Sequence, residues 1–115
     1  MPWELQDLVL ETIRGLDPRP TLIIEGAARG ADVLGKVAAI WLGIPWQEFP
    51  ADWTTHGKRA GHIRNQQMLD EGKPDLVLAF HPVTGCTPGT RDMIQRAQQA
   101  GVPVRVVTYE VHIRD

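Results

Sequence analysis

Apolar residues recur at three- and four-residue intervals at the start of the chain, with Leu5, Leu8, Val9, Ile13 and Leu16 falling between positions 4 and 16. That spacing lines them up as one stripe of a helix lying against a core. Gly15 and the segment Asp17 to Pro20 stop it. Thr21 to Glu25 reads as a short, nearly continuous apolar strand, the pattern of a strand covered on both faces. After a glycine turn, Leu34, Val37, Ala38 and Trp41 return to helical spacing until Gly43 and Pro45 end the segment. Trp46 to Phe49 forms a second short strand. A polar loop from Pro50 to Gly57 leads into a helix over 60–71, with Ile63, Met68 and Leu69 on its inner side and Gly72 at its end. "DLVLAF", Asp75 to Phe80, is the clearest strand. The loop "HPVTGCTPGT", a helix from Arg91 to Ala100 ended by Gly101, and a strand Val104 to Thr108 complete the series. The tail "YEVHIRD" alternates Val111 and Ile113 with polar residues, a pattern that fits an extension of the last strand, pairing elsewhere, or a dimer contact.

Short buried strands alternating with amphipathic helices imply right-handed crossovers and a parallel sheet with helices on both faces. The expected fold is therefore α/β, a Rossmann-like three-layer sandwich with a mostly parallel sheet of four to five strands. At 115 residues and 43% hydrophobic content the chain can bury one core but hardly two, so 1–115 reads as a single domain. The net charge of -2 gives no general attraction to nucleic acid or to an acidic membrane surface, so anion binding has to be local. Cys86 is the only cysteine, which excludes an internal disulfide and a cysteine-based zinc cluster and suits a reducing cytoplasm. No apolar run approaches the roughly 18 residues needed to span a bilayer, and no membrane partner is expected.

Three loops fall at predicted strand ends, where open parallel sheets bind ligands. In "GAARGAD", Gly26 to Asp32, glycines let backbone amides approach a ligand and the next helix offers its positive end to an anion, while Arg29 can grip phosphate or carboxylate. A tight turn with a solvated Arg29 fits the same residues. The spacing is not the dinucleotide fingerprint, so no nicotinamide cofactor follows from it. The second loop concentrates His56, Lys58, Arg59, His62 and Arg64 within nine residues, suiting either a polyanionic ligand or a solvated basic face. Trp53 can stack on a ring or cover the edge of the core. In the third loop, Thr84, Gly85, Thr87, Gly89 and Thr90 can wrap a phosphate, with Thr90 as N-cap and Asp92 in the first helical turn. Cys86 and His81 have no third orienting residue nearby and do not read as nucleophile and base.

The blocks "GAARGAD", "ADWTTHGKRAGHIRNQQM" (Ala51 to Met68), "DLVLAF" and "GTRDM" (Gly89 to Met93) resemble the SLOG superfamily, in its YspA-like branch, over roughly residues 21–108. That superfamily has a Rossmann-like fold and includes the lonely-guy phosphoribohydrolases, the DNA-processing protein DprA and sensors of nucleotide-derived signals. His62, Arg64 and Met68 match the lonely-guy H-x-R-x-x-x-M pattern, in which the arginine lies at the active site. Gly89 and Thr90 match the end of the P-G-G-x-G-T loop, and Asp92 stands where those enzymes carry a catalytic glutamate. Two departures stand out: the phosphate loop is "PVTGCTPGT", with a carboxylate one methylene shorter, and the family's opening strand is missing from the chain. Since that strand lies mid-sheet, either its two neighbours close up or another chain fills the place.

The resemblance implies a domain that binds a nucleotide or nucleotide-derived phosphorylated ligand, with Gly26, Arg29, Gly30, Asp32, Trp53, Lys58, Asn65, Gly85, Thr87, Gly89 and Thr90 as binding residues. Neither a cofactor nor a metal is called for. One alternative is a phosphoribohydrolase that cleaves the N-glycosidic bond of a nucleoside 5′-monophosphate, with Arg64 orienting the ribose phosphate and Asp92 stabilising positive charge on the ribose. Another is single-stranded DNA binding, against which the acidic balance speaks. A homodimer suits any of these, with Trp3, Trp41 and Trp46 as a candidate aromatic interface unless they are core residues.

Overall fold

A computed structural model describes residues 3–28 and 30–110, leaving out the side chains of Trp3 and Glu4. The elements are α1 (Trp3–Arg14), β1 (Ile23–Glu25), α2 (Ala31–Leu42), β2 (Trp46–Glu48), a short α3 (Trp53–His56), α4 (Ala60–Gln67), β3 (Val77–Pro82), α5 (Pro88–Gln99) and β4 (Val104–Tyr109). A 3-10 turn, Gly57–Arg59, joins α3 to α4, and a π turn, Met68–Gly72, continues α4. The longer helices and the strands alternate as expected, but the expected polar loop Pro50 to Gly57 contains α3, capped by the Asp52 side chain accepting from the Thr55 amide.

The four strands form two parallel pairs rather than one sheet. Ile23, Ile24 and Glu25 stand opposite Trp46, Gln47 and Glu48, and Val77 to Pro82 stand opposite Val104 to Tyr109. Among the described residues β1 and β3 do not pair, so they have not closed up on each other. In a parallel ladder alternate residues serve opposite edges. Ile23 donates to the Pro45 carbonyl and the Glu25 carbonyl accepts from Phe49, while Val77 donates to Pro103. These odd-numbered positions are committed to β2 and β4, and Ile24, Leu78 and Phe80 direct their backbone groups the other way.

Side chains unite what the ladders leave separate. Leu5, Val9 and Ile13 on α1 pack with Leu34, Ala38 and Ala39 on α2 and with Ile44, and Ile23, Leu78, Phe80 and Tyr109 join them. Both strand pairs therefore contribute to one core. On a second side, Leu69, Val77 and Ala97 are buried together with Met93, Val102 and Val104 around them. Each fully buried aliphatic side chain contributes about 1.5–3 kcal/mol. The radius of gyration, 14.0 Å, is near the ~13–14 Å of a compact chain this long.

Several local expectations shift. Trp41 does not lie on the inner stripe of α2: that stripe is Leu34, Gly35, Ala38 and Ala39, which turns Trp41 outward at 75% exposure. Ile63 is exposed, and the inner side of α4 carries Ala60 and Asn65 instead. Helix α5 starts earlier than Arg91, with Thr87 as N-cap in place of Thr90, because the Thr87 hydroxyl accepts the Thr90 amide at 3.2 Å and Pro88 suits the first helical position. No helix among the described residues is long and apolar enough to cross a membrane. Val111 and Ile113 lie outside the described residues.

Candidate functional site

Two consecutive residues of α4 reach two different turns. Arg64 donates through a terminal guanidinium nitrogen to the carbonyl of Gly26, which directly follows β1. Asn65 donates through Nδ2 to the carbonyl of Gly89 at 3.1 Å and to Asp92 Oδ2 at 3.0 Å, both in the first turns of α5. Arg64 Nε closes the series by donating to Asn65 Oδ1 at 3.0 Å. A buried asparagine has four hydrogen-bonding positions to satisfy, and three are met here. The turns after β1 and β3 are thereby held on either side of α4.

Asp92 is anchored more than once. Its Oδ2 also accepts from Arg96 Nε at 2.8 Å, and its Oδ1 lies 3.7 Å from His62 Nδ1. Burial pushes its carboxyl up, but the hydrogen bonds from Asn65 and Arg96 and the charge of Arg96 outweigh this and hold it below its usual value. Arg96 Nη1 in turn donates to Gln66 Oε1 at 3.0 Å. Arg59, His62, Gln66, Asp70, Glu71 and Arg96 belong to an open hollow of about 690 Å³ on the outer side of α4 and α5.

The turn after β1 has an unexpected polarity. The amide of Ala27, a residue at φ 59°, donates to Glu25 Oε2, and the amide of Ala28 donates to Asp32 Oδ2 at 3.2 Å. Glu25 is 4% exposed, and its Oε1 is buried without a partner. Burial is the leading cause that raises the carboxyls of both Glu25 and Asp32, with the Ala27 and Ala28 amides opposing it respectively. Beside this turn is a second hollow, about 370 Å³, lined by Gly26, Ala27, Ala28, Pro50, Ala51, Trp53 and Arg64. Trp53 is 61% exposed there.

The turn before α5 is arranged otherwise. The Thr90 amide is taken by the Thr87 hydroxyl, the Arg91 amide by the Thr87 carbonyl and the Gly85 amide by the Pro82 carbonyl. The amides of Cys86, Thr87 and Gly89 have no partner within the chain among the described residues. Gly85 sits at φ 139°, a conformation that favours glycine.

Of the residues singled out in the sequence, Gly26, Arg64, Asn65, Gly89 and Asp92 thus share one hydrogen-bonded series, and Trp53 borders the same region. Gly85, Thr87 and Thr90 shape the neighbouring turn. Asp32 is tied back to its own turn, and Gly30 (φ 87°) precedes α2 with open space around it. Lys58 is exposed on the 3-10 turn and lines neither hollow. Arg29 and the Trp3 side chain lie outside the described residues. Trp46 is 42% exposed, with the Lys36 ammonium 5.9 Å from its ring centroid, so neither it nor Trp41 is a core residue. Sequence reading missed Glu25, Arg96, Pro50 and Ala51. For Arg96 a signal existed, four residues after Asp92 on the same helix; for Glu25 the hint was a charge ending an apolar strand.

The Gene 61 protein of Mycobacterium phage D29 is 40% identical to this chain over 95 residues, a match covering 76% of this chain and 71% of the phage protein. The chain belongs to the family of that phage protein. No protein-family profile and no solved structure matches it.

Proposed function

We propose that the chain, a member of that phage family, is a Rossmann-like domain of the SLOG type that binds a nucleotide or nucleotide-derived phosphorylated ligand. The observation that supports this reading is the pair Arg64 and Asn65, consecutive residues of α4 that bond to Gly26 after β1 and to Gly89 at the start of α5. In open α/β folds such turns are where ligands sit. The three unspent amides at Cys86, Thr87 and Gly89, together with the positive end of α5, suit a phosphate. Calorimetry against AMP, ribose 5-phosphate, cyclic nucleotides and ADP-ribose tests it. The expected result is uptake of at least one phosphorylated compound, weakened by Asn65→Ala; no heat from any of them overturns the reading.

A second reading is favoured by one observation, the carboxylate of Asp92 held ionised at the end of the Arg64–Asn65 series. An ionised carboxylate there would stabilise an oxocarbenium-like ribose as an N-glycosidic bond breaks. Incubation with AMP and chromatography for free adenine distinguishes turnover from binding alone, and turnover unchanged in Asp92→Asn would remove Asp92 from that role.

A further inference from the structure

We infer that the 370 Å³ hollow beside the first turn is the nucleobase subsite, so that the ligand lies with its ring at Gly26–Ala28 and its phosphate at the turn before α5. This rests on the nucleotide reading above and reverses the polarity that the glycines of the first turn suggest in the sequence.

The amides of the first turn offer an anion little. Those at Ala27 and Ala28 are already given to Glu25 and Asp32, so a phosphate arriving there would find those two donors spent and two carboxyl groups behind them. The partnerless Oε1 of Glu25 is buried and offers an anion no donor either.

The walls of the hollow suit a flat, uncharged ring. Ala27, Ala28, Pro50 and Ala51 are small, and Trp53 offers an exposed indole. The Arg64 guanidinium is fixed by its bonds to Gly26 and Asn65. Trp53 and Arg64 converge over Gly61, where an added Cβ would lie 3.6 Å from Trp53 Cη2 and 3.9 Å from Arg64 Nη2. Indole and guanidinium faces both stack on nucleobases without requiring a particular base. A cationic ligand is disfavoured because Arg64 is itself a wall. Asn65, next to Arg64, touches the phosphate-side turn, so the two subsites are joined through consecutive residues of α4.

The test compares adenosine, AMP and ribose 5-phosphate by calorimetry on the wild-type chain, Trp53→Ala and Trp53→Phe. Adenosine and AMP are expected to lose about tenfold or more in affinity in Trp53→Ala, to recover most of it in Trp53→Phe, and ribose 5-phosphate is expected to bind all three proteins alike. If Trp53→Ala leaves AMP unchanged, or weakens ribose 5-phosphate as much as AMP, the base does not occupy this hollow. If the wild-type chain binds none of the three, the base assignment is overturned, and if the cyclic nucleotides and ADP-ribose give no heat either, the nucleotide reading falls together with it. Trp53 is exposed on a four-residue helix, and near-ultraviolet circular dichroism checks that the variants keep the wild-type packing.

Discussion

Arg64 occupies the space in which a side chain on Gly26 would stand. A Cβ at position 26 would lie 2.5 Å from a terminal guanidinium nitrogen of Arg64 and 2.7 Å from its Cζ. The absent side chain lets the guanidinium reach the Gly26 carbonyl across 38 positions of sequence, so this glycine serves an internal contact. Its φ is not in the left-handed region.

Gly26→Ala should expel the guanidinium and cost about 1–3 kcal/mol, the loss of a charge-assisted hydrogen bond with a partly buried acceptor left behind. In an Arg64→Ala background the same change should cost much less. Urea denaturation of the four proteins measures the coupling, and strictly additive losses would show that the two residues do not depend on each other.

Asn65→Ala should cost about 1–3 kcal/mol, because the carbonyl of Gly89 and Asp92 Oδ2 both lose a donor in a part-buried place. Asn65→Asp should be worse at neutral pH, since it sets a carboxylate against Asp92. Its excess cost over Asn65→Ala should shrink as the solution is acidified. A cost that stays constant with pH would argue against direct contact between positions 65 and 92.

Glu25 and Asp32 bind their protons more tightly in the folded chain than in the unfolded one, since burial raises both carboxyls. Their contribution is therefore most favourable in acid and declines as pH rises through their folded pKa values, each raised from its ordinary one. Glu25→Gln keeps an acceptor for the Ala27 amide and removes the buried charge. It should raise thermal stability at pH 7 and flatten that decline; an unchanged pH profile would mean that Glu25 has the same pKa in the folded and unfolded chains.

Asp92 behaves in the opposite sense. Its carboxyl is held below its usual value, so its contribution is present above the unfolded pKa and is lost as pH falls through the folded one. Asp92→Asn should lower stability at pH 7 and match the wild type in strong acid. A deficit that persists in acid would point to packing and not to charge.

Thr87→Ala should cost about 1 kcal/mol through loss of the N-cap of α5, and Thr87→Ser should cost far less. Equal losses for the two would assign the effect to the threonine methyl group.

Much of the chain's element order is written locally. Leu5, Val9 and Ile13 recur every four residues and are buried as that spacing implies, Gly43 ends α2 in the left-handed conformation, and Val104 opens β4 where an apolar run begins. A period or a cap involves residues a few positions apart, and sequence records those relations directly. The phase of α4 is different. Hydropathy points Ile63 inward, yet the buried position is Asn65, which is accommodated because Gly89 and Asp92 supply partners 24 and 27 residues away.

By itself the sequence determined the kinds of element, their order, and the presence of two glycine-bearing turns beside a basic helix. Tertiary structure decided that β1–β2 and β3–β4 stand as separate pairs, that Arg64 and Asn65 divide between the two turns, and that Glu25 and Asp32 claim the amides of the first. The reason is physical: each of those outcomes turns on which donor reaches which acceptor in space. Where the donors and acceptors are backbone groups that every residue carries, no local pattern names the partner.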